Sequence, residues 1–286
     1  MQAGKPSRTA WAAASHRAAH QILEGGRIFK DPLAVKILGG DAEAIARDAA
    51  EDPSRPSRRA MRNFIAARTR FAEDALAAAV ADGTSQLVVL GAGLDTFAYR
   101  NPYGERLRVF EVDHPATQEW KRGLLDAAGI AAPETLTFAP VDFERQSLSE
   151  GLAAAGFDGA RQTFFTWLGV VPYLTKEVVW ATLGFIAGLS GGAHVVFDYS
   201  DPPETLPPEL REYHDARAAR VRELGEEWLS YFEAEELRTK LTALGFGEVE
   251  DFGPVEIAER HFPERAALAR SRGNRGGHVL RALKKD

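Results

Sequence analysis

The chain has 286 residues, 45% of them hydrophobic and 27% charged, which is the composition of an ordinary globular protein with one large domain or two small ones. Its formal net charge of −6 weighs against a general binder of nucleic acid or of anionic membranes. The sequence contains no cysteine, which excludes disulfides, thiolate nucleophiles and Cys-ligated metal sites.

Two histidines at the amino-terminal end have the spacing of metal ligands. His16 and His20 are four residues apart, which places both side chains on one face of a helix. A third ligand is not evident in the sequence, so we expect ordinary surface histidines and no metal site.

Two segments bear on the question of a membrane. Residues 178–197 contain no Asp, Glu, Lys or Arg, but a Ser-Gly-Gly sequence at 190–192 divides them. Because a membrane span needs roughly 20 continuous apolar residues, we expect a helix, a turn and a buried strand here, and no membrane partner. Residues 1–24 lack the apolar core of a secretory leader, so we expect a cytoplasmic protein.

Short apolar runs alternate with helical patterns from residue 86 onward. The runs predict strands at 87–90, 107–112, 136–141, 163–168, 193–197, 248–252 and 278–283. The helices predicted between and after the first five strands are 116–128, 148–155, 177–189, 208–224 and 233–244, which is the last helix that we expect. This alternation predicts an α/β fold with a doubly wound, mostly parallel sheet of seven strands.

The same pattern predicts one domain over residues 1–286. Within it, 1–85 form a helical cap, 86–200 the βαβ core, 201–232 a helical insertion after the fifth strand, and 233–286 a final helix with the last strands. We expect the cap and the insertion to close over the carboxyl edge of the sheet as a lid that shields a reaction from water.

The most informative segment is the end of the first predicted strand. The apolar run ends directly in Gly91-Ala92-Gly93, and twenty residues after Gly93 the second strand ends in Asp113. Glycines at this point let the backbone approach a ligand closely, and an acid at the next strand end can accept both ribose hydroxyls of a nucleoside. A tight turn followed by a helix cap is the structural alternative.

The residues that follow the two glycines indicate which kind of nucleoside could bind. Thr96 stands where a dinucleotide site has its third glycine, and the GxxxxGK[ST] phosphate loop does not occur in the sequence. S-adenosylmethionine, which has a ribose but no phosphate, therefore fits better than NAD or FAD. Its adenine would lie near Asp142 and Phe143, although Asp142 could equally be the N-cap of a helix.

Arg68 lies near the centre of an apolar helical stripe that runs from Met61 to Ala79. A guanidinium that faces a protein core needs an anion, because burying an unpaired charge costs a great deal of free energy. That anion is either an internal carboxylate or a ligand carboxylate or phosphate.

Four motifs in this order resemble the class I S-adenosylmethionine-dependent methyltransferases, and more narrowly the leucine carboxyl methyltransferase family with its bacterial O-methyltransferase relatives. They are VVLGAGLDT at 88–96, FEVDHP at 110–115, PVDFE at 140–144 and WLGVVPYLT at 167–175. The resemblance implies a Rossmann-like methyltransferase fold with S-adenosyl-L-methionine as the cofactor.

The resemblance also implies roles for individual residues. Arg68 would pair with the methionine carboxylate, Gly91, Ala92 and Gly93 would face the methionine moiety, Asp113 the ribose, and Asp142 with Phe143 the adenine. Leu168 stands where the family has a cofactor-binding acid at the end of the fourth strand, which makes that contact apolar or backbone-mediated and makes leucine carboxyl transfer itself doubtful.

The methyl acceptor implied is a small molecule with a carboxylate or a hydroxyl group. Many N-methyltransferases end the fourth strand in an Asn/Asp-Pro-Pro-aromatic turn, which is absent here, so we expect no nucleic-acid acceptor. Tyr173 is the candidate catalytic residue, as a hydrogen-bond donor to the acceptor or as packing at the mouth of the site, and Tyr213 and His214 could line an acceptor pocket or lie exposed. Two other functions stay open: a protein that binds S-adenosylmethionine or a nucleoside without turnover, and a nicotinamide-dependent dehydrogenase.

Overall fold

The computed structural model describes residues 7–39, 44–47, 56–142, 146–223 and 225–285. The strands are β1 Gln86–Leu90, β2 Arg108–Asp113, β3 Leu136–Pro140, β4 Thr163–Trp167, β5 Ala193–Ser200, β6 Glu248–Phe252 and β7 Gly277–Lys284. The helices, apart from a four-residue segment at 44–47, are α1 Arg8–Leu23, α2 Pro56–Ala81, α3 Pro115–Ala127, α4 Leu148–Ala154, α5 Lys176–Ala187, α6 Pro208–Glu223, α7 Ala234–Ala243, α8 Pro254–His261 and α9 Ala266–Ser271.

The strands form one seven-stranded sheet in the order β3-β2-β1-β4-β5-β7-β6. β2 pairs parallel with β3, and β4 pairs parallel with both β1 and β5, whereas β7 runs antiparallel to β5 and β6. All five residues of β1 are buried, as expected for a strand covered on both faces. The doubly wound, mostly parallel α/β sheet predicted from the alternating patterns is confirmed.

Local signals explain several helix starts. Ser147 accepts a hydrogen bond from the N–H of Glu150, and the Glu150 carboxylate accepts one from the N–H of Ser147, so a complete capping box begins α4. His114 caps α3, because its Nδ1 accepts the N–H of Ala116 at 3.2 Å. Each of these side chains satisfies a backbone group that the first helical turn leaves without a partner.

The prediction that 233–244 is the last helix is wrong. Two short helices, α8 and α9, follow β6, and the first of them begins where the Gly253 N–H donates to Glu256 Oε2 at 3.0 Å. Helices of eight and six residues are too short to show a periodic apolar stripe, so the sequence pattern does not reveal them.

The stretch at 178–197 divides as predicted into part of α5, a turn and part of β5. Among the residues that the structure describes, none of the helices combines the length and the hydropathy needed to cross a membrane.

The chain divides into two compact units. The first unit comprises residues 1–70 and 91–157, and the second comprises 71–90 and 158–286. In the first, a small core is formed by buried Ala14, Ile37, Leu94 and Leu125. In the second, the core includes fully buried residues of β5 and of the helices α5 and α7, among them Val195, Phe197, Leu183 and Leu241. The predicted division into cap, βαβ core, insertion and carboxyl-terminal segment stays a prediction.

Candidate nucleoside site and acceptor-side cluster

The glycine turn after β1 is held against the end of β2. Gly91 and Ala92 donate their N–H groups to the carbonyl of Val112 at 2.8 and 3.0 Å, and Gly93 donates to Asp113 Oδ2 at 2.6 Å. Both glycines have positive φ, +66° and +45°, a conformation that other residues adopt only with strain. A Cβ on Gly93 would lie 3.0 Å from the Cβ of Ala10, so α1 approaches this turn closely.

Asp113 is a buried carboxylate with unused hydrogen-bonding capacity. It is 9% exposed, and its Oδ1 accepts the N–H of His114 at 2.7 Å. Burial raises the pKa of Asp113, and the N–H groups of Gly93 and His114 oppose that rise. Each carboxylate oxygen has two lone-pair positions and receives one N–H, so each can still accept a hydroxyl. This arrangement is suited to a vicinal diol.

The residue before Asp142 is hydrogen-bonded to the backbone of Asp113. The carbonyl of Asp113 accepts the N–H of Val141 at 2.9 Å, which extends the β2–β3 pairing to the residue before Asp142. Asp142 is half-buried, and its carbonyl accepts the N–H of Gln146. Ser147 is the N-cap of α4, and the alternative that Asp142 caps a helix stays open because residues 143–145 lie outside the described residues. Phe143 lies outside the described residues.

Arg68 is buried in α2, as the apolar stripe predicts. It is 8% exposed, and its guanidinium carbon lies 5.9 Å from the centre of the Phe64 ring. Arg68, Gly91, Ala92, Gly93, Asp113 and Asp142 therefore all belong to the first unit. Their roles toward a cofactor stay predictions.

A buried charge network that the sequence patterns do not reveal ties α1 to the loop after β1. Arg17 donates to the carbonyl of Leu94, and its Nε lies 3.6 Å from Asp31 Oδ2. Thr96, considered above only as a missing glycine, donates its hydroxyl to the same Asp31 oxygen at 2.7 Å. Arg17 shares a helix face with buried Ala14 and Ala18. A cation among the small apolar residues of a helix face is the sequence signal that could have indicated a buried arginine.

Asp95 is also part of this network. Burial alone would raise its pKa, but the positive charges of Arg17, Lys121 and Arg100 lower it below the usual range. Asp95 is therefore a carboxylate that stays ionised, with its charge balanced inside the first unit.

The prediction that His20 is a surface histidine is wrong. It is 1% exposed, its Nε2 accepts the N–H of Ile28 at 3.3 Å, and its Nδ1 lies 3.3 Å from Glu24. Arg62 holds the other side of Glu24 with contacts of 2.6 and 2.8 Å. Among the described residues, no group of three or more His, Asp and Glu side chains could hold a metal ion.

The second unit contains Leu168 and Tyr173. Leu168 is half-buried directly after β4, and the next residue, Gly169, donates its N–H to Asp198 Oδ1 on β5 at 2.5 Å. The acid that engages the backbone after β4 thus comes from the neighbouring strand. Tyr173 is half-buried at the end of a 3-10 turn, where its N–H donates to Val170 at 2.9 Å.

The end of the insertion binds to this turn and to the end of β5. Leu229 donates its N–H to the carbonyl of Pro172 at 2.6 Å, and Ser230 donates its hydroxyl to the carbonyl of Val171 at 2.9 Å. Phe232 donates its N–H to the carbonyl of Ser200 at 3.1 Å. Within the second unit, the residues just before α7 therefore run across the carboxyl ends of β4 and β5.

His214 lies in an aromatic cluster that we call the acceptor-side cluster, formed by Tyr213, His214, Trp228 and Tyr231. Its Nδ1 lies 2.9 Å from Asp215 Oδ1 and its Nε2 3.0 Å from the Tyr231 hydroxyl. The side chain of His214 is only 11% exposed, although α6 is otherwise a polar helix. His214 is therefore not an exposed residue, and its place in an acceptor pocket stays a prediction.

Comparisons with known proteins agree on a family. The family model for Leucine carboxyl methyltransferase matches residues 10–187. A Bacillus subtilis (strain 168) protein with the provisional name S-adenosyl-L-methionine-dependent methyltransferase YktD is 36% identical over 205 residues, which are 70% of this chain and 66% of the relative. A Streptomyces coelicolor protein with the same provisional class, SCO7813, is 37% identical over 59% of this chain and 61% of its own length. The matched part of this chain thus spans less than two thirds of these two relatives.

Two solved structures have the same fold. A provisionally named methyltransferase from Thermobifida fusca aligns over 100% of this chain and 97% of its own, with a TM-score of 0.54 and 20% identity. A DUF574 family protein from Streptomyces avermitilis aligns over 94% and 97%, with a TM-score of 0.53 and 17% identity. At these identities the likeness concerns the fold alone.

Proposed function

The chain belongs to the leucine carboxyl methyltransferase family, and on this premise we propose that it is an S-adenosyl-L-methionine-dependent O-methyltransferase. Its acceptor is the carboxylate or hydroxyl group of a small molecule, and secondary metabolites are among the proposed acceptors. The provisional names of the curated relatives support the cofactor and the reaction. Nucleic acid and membranes are not among the proposed partners, and the cytoplasmic location predicted from the sequence is part of the same proposal.

The observation that carries the proposal is the pairing of Asp113 with the glycine turn. A buried carboxylate whose two oxygens are fixed by the N–H groups of Gly93 and His114 presents its free lone pairs in a constant direction. Two vicinal hydroxyls of a ribose match such an acceptor, and the absence of side chains on Gly91 and Gly93 allows the backbone to approach the ligand. The residues present therefore fit a nucleoside.

The other site residues take the roles that the family implies. Arg68 pairs with the methionine carboxylate, because a guanidinium binds a carboxylate through two parallel hydrogen bonds. Ala92 with its flanking glycines faces the methionine moiety, and we assign the adenine to Asp142, a role that the resemblance also implies for Phe143. Leu168 supplies an apolar or a backbone contact, and Tyr173 donates a hydrogen bond to the acceptor or packs at the mouth of the site.

When bound, the cofactor supplies a methyl group activated by its bond to a sulfonium. The reaction removes a positive charge, so the work of the chain is to align the acceptor and to exclude water. We assign the exclusion of water to the cap and to the insertion at 201–232, whose end is hydrogen-bonded across β4 and β5.

Calorimetry with S-adenosylhomocysteine, followed by transfer of a tritiated methyl group to a panel of carboxylates and alcohols, tests the proposal. We expect binding in the micromolar range and transfer to at least one compound. Ligand at about 100 times its dissociation constant should stabilise the fold by roughly 2.7 kcal/mol. Binding without transfer would favour a non-catalytic nucleoside-binding protein. A folded chain that binds neither cofactor form but binds a nicotinamide dinucleotide would replace the proposal with a dehydrogenase.

A further inference from the structure

Asp215, His214 and Tyr231 form a continuous hydrogen-bonded chain in the second unit. The Asp215 carboxylate accepts from Nδ1 of His214 at 2.9 Å, which leaves Nε2 unprotonated on the neutral ring. The Tyr231 hydroxyl, 3.0 Å from Nε2, is then the donor to the imidazole. A proton that reaches the Tyr231 oxygen therefore has a direct path to a base.

This chain is tied to the part of the sheet where ligands bind. The residues on both sides of Tyr231 are fixed, since Ser230 donates to the carbonyl of Val171 after β4 and Phe232 donates to Ser200 at the end of β5. In open α/β sheets, ligands bind outside the carboxyl ends of the strands. The backbone on both sides of Tyr231 is consequently held at the carboxyl ends of β4 and β5.

The electrostatic surroundings favour a neutral acceptor over a carboxylate. Burial raises the pKa of Tyr231, and the negative charges of Asp215, Glu227 and Glu204 raise it further, while Arg222 lowers it. Arg217 adds a second positive charge, since its guanidinium lies over the rings of Trp228 and Tyr213 at 4.9 and 5.5 Å. The three acids still outnumber these two cations, so together the charges disfavour an anion relative to a neutral molecule.

Aromatic rings pack beside His214 in this chain of hydrogen bonds. The ring centres of Trp228 and Tyr231 lie 5.3 and 5.4 Å from that of His214. Aromatic side chains provide large flat contact areas, and aromatic rings prefer tilted or offset partners at such distances. Trp228 and Tyr231 are half-buried, so a flat aromatic molecule can pack against the part of each ring that stays exposed.

We propose that the methyl acceptor is the hydroxyl group of a phenol-type molecule and that the Asp215–His214–Tyr231 chain removes its proton. This inference rests on the proposed function. The acceptor oxygen forms a bond to the methyl carbon as the carbon–sulfur bond breaks, and the bonding pair returns to sulfur to give a neutral thioether. The hydroxyl proton passes to the Tyr231 oxygen while the Tyr231 proton passes to Nε2. The products are an aryl methyl ether, a thioether and an imidazolium that Asp215 stabilises.

The experiment uses pairs of small probe acceptors with the full chain. Phenol needs a base, whereas 4-nitrophenol is far more acidic and ionises readily by itself, and 4-nitrobenzoate needs no proton removal. We expect His214→Gln to slow methyl transfer to phenol by about 100-fold or more, the usual range for general-base catalysis, and to slow transfer to 4-nitrophenol much less. Arg220→Gln, an exposed substitution on the same helix, is the matched control and should change neither rate.

A second readout needs no methyl transfer. The phenolate of 4-nitrophenol absorbs visible light, so the ionised fraction of the bound probe can be measured in the presence of S-adenosylhomocysteine. We expect a larger ionised fraction on the wild type than on His214→Gln at the same pH. Tyr231→Phe keeps the ring and removes the relay hydroxyl, so it should reproduce both effects, and it serves as the test if His214→Gln does not fold.

Several outcomes overturn the inference. Equal losses for phenol and 4-nitrophenol would show a merely structural role, and unchanged rates in both variants would show no role. A wild type that methylates 4-nitrobenzoate but neither binds nor methylates phenol and 4-nitrophenol would exclude phenols as the acceptor. A wild type that binds S-adenosylhomocysteine and methylates none of the three probes would exclude them as well. Loss of S-adenosylhomocysteine binding by the wild type is a different result, since it contradicts the proposed function itself.

Discussion

The carboxylate of Asp113 accepts the N–H of Gly93 with an O···N distance of 2.6 Å. The two residues are twenty positions apart, at the ends of successive strands, so this bond fixes the direction of the carboxylate relative to the glycine turn. The same carboxylate is proposed to hold the ribose, and its other lone pairs point away from the bond.

Asp113→Ala should weaken binding of S-adenosylhomocysteine by about 1–3 kcal/mol, the range for losing charge-assisted hydrogen bonds. Titration calorimetry measures the loss directly. Asp126→Ala removes an exposed carboxylate from α3 and should leave the affinity unchanged. Equal affinities of the Asp113 variant and the wild type would remove the ribose role.

Arg68→Lys should lower the affinity for S-adenosylhomocysteine while the protein stays folded. The substitution keeps the charge but loses the planar fork that binds a carboxylate through two hydrogen bonds. Methylthioadenosine, which has the nucleoside but no carboxylate, separates the roles. We expect wild type and Arg68→Ala to bind it alike, whereas S-adenosylhomocysteine should bind the wild type more tightly by about 1.5–3 kcal/mol. A variant that melts at a lower temperature yet binds both ligands normally would make Arg68 a structural residue.

Gly93→Ala should destabilise the fold, and Gly123→Ala should stabilise it. A Cβ on Gly93 would lie 3.0 Å from the Cβ of Ala10, at a φ of +45°, and such strain costs about 1–3 kcal/mol. Gly123 lies within α3 with no described heavy atom within 4 Å of its added Cβ, so alanine there should gain about 0.5–1 kcal/mol. Urea unfolding of both variants measures whether the free energy of unfolding falls or rises. An unchanged free energy of unfolding in Gly93→Ala would contradict the close approach of α1.

His278 should make stability depend on pH in the alkaline range. Burial alone would lower its pKa, but hydrogen bonds and charge from Asp201 and Asp251 raise it from 6.5 to about 9. A group whose pKa is higher in the folded than in the unfolded protein stabilises the fold. This stabilisation is complete at a pH below the unfolded-state pKa and is lost as the pH rises through the folded-state pKa. The wild type should therefore exceed His278→Gln in unfolding free energy by a margin that shrinks between about pH 6.5 and about pH 9, by about 3 kcal/mol in all.

Urea unfolding of the wild type and of His278→Gln at several pH values across this range measures that margin. A margin that stays constant with pH would show that His278 is not charged in the folded protein. Arg275 shares Asp201 with this histidine, and the pKa of Arg275 is raised further by its hydrogen bonds to Glu233 and Asp201, so the guanidinium stays charged across this range.

Local patterns in the sequence determined the strands, most helix starts and the glycine turn on which the proposed nucleoside site depends. A buried parallel strand is a short apolar run with a sharp end, and a glycine turn or a capping residue is recognised within four positions of the chain. β1 and Gly91, β2 and Asp113, and the cap of α3 at His114 are all signals of this kind. Each depends on backbone conformation, which neighbouring residues largely decide.

Only the tertiary structure decided which polar side chains meet. Thr96 and Asp31 are 65 residues apart, and Gly169 and Asp198 are 29 apart. Local sequence patterns therefore do not predict either hydrogen bond. His20 looked exposed because helical spacing identifies a face, not what covers that face. The link from His214 to Tyr231 likewise depends on how the end of the insertion crosses β4 and β5. Hydrogen bonds are short and directional, so whether two distant groups form one is settled by packing to within a fraction of an ångström, which composition and periodicity do not specify.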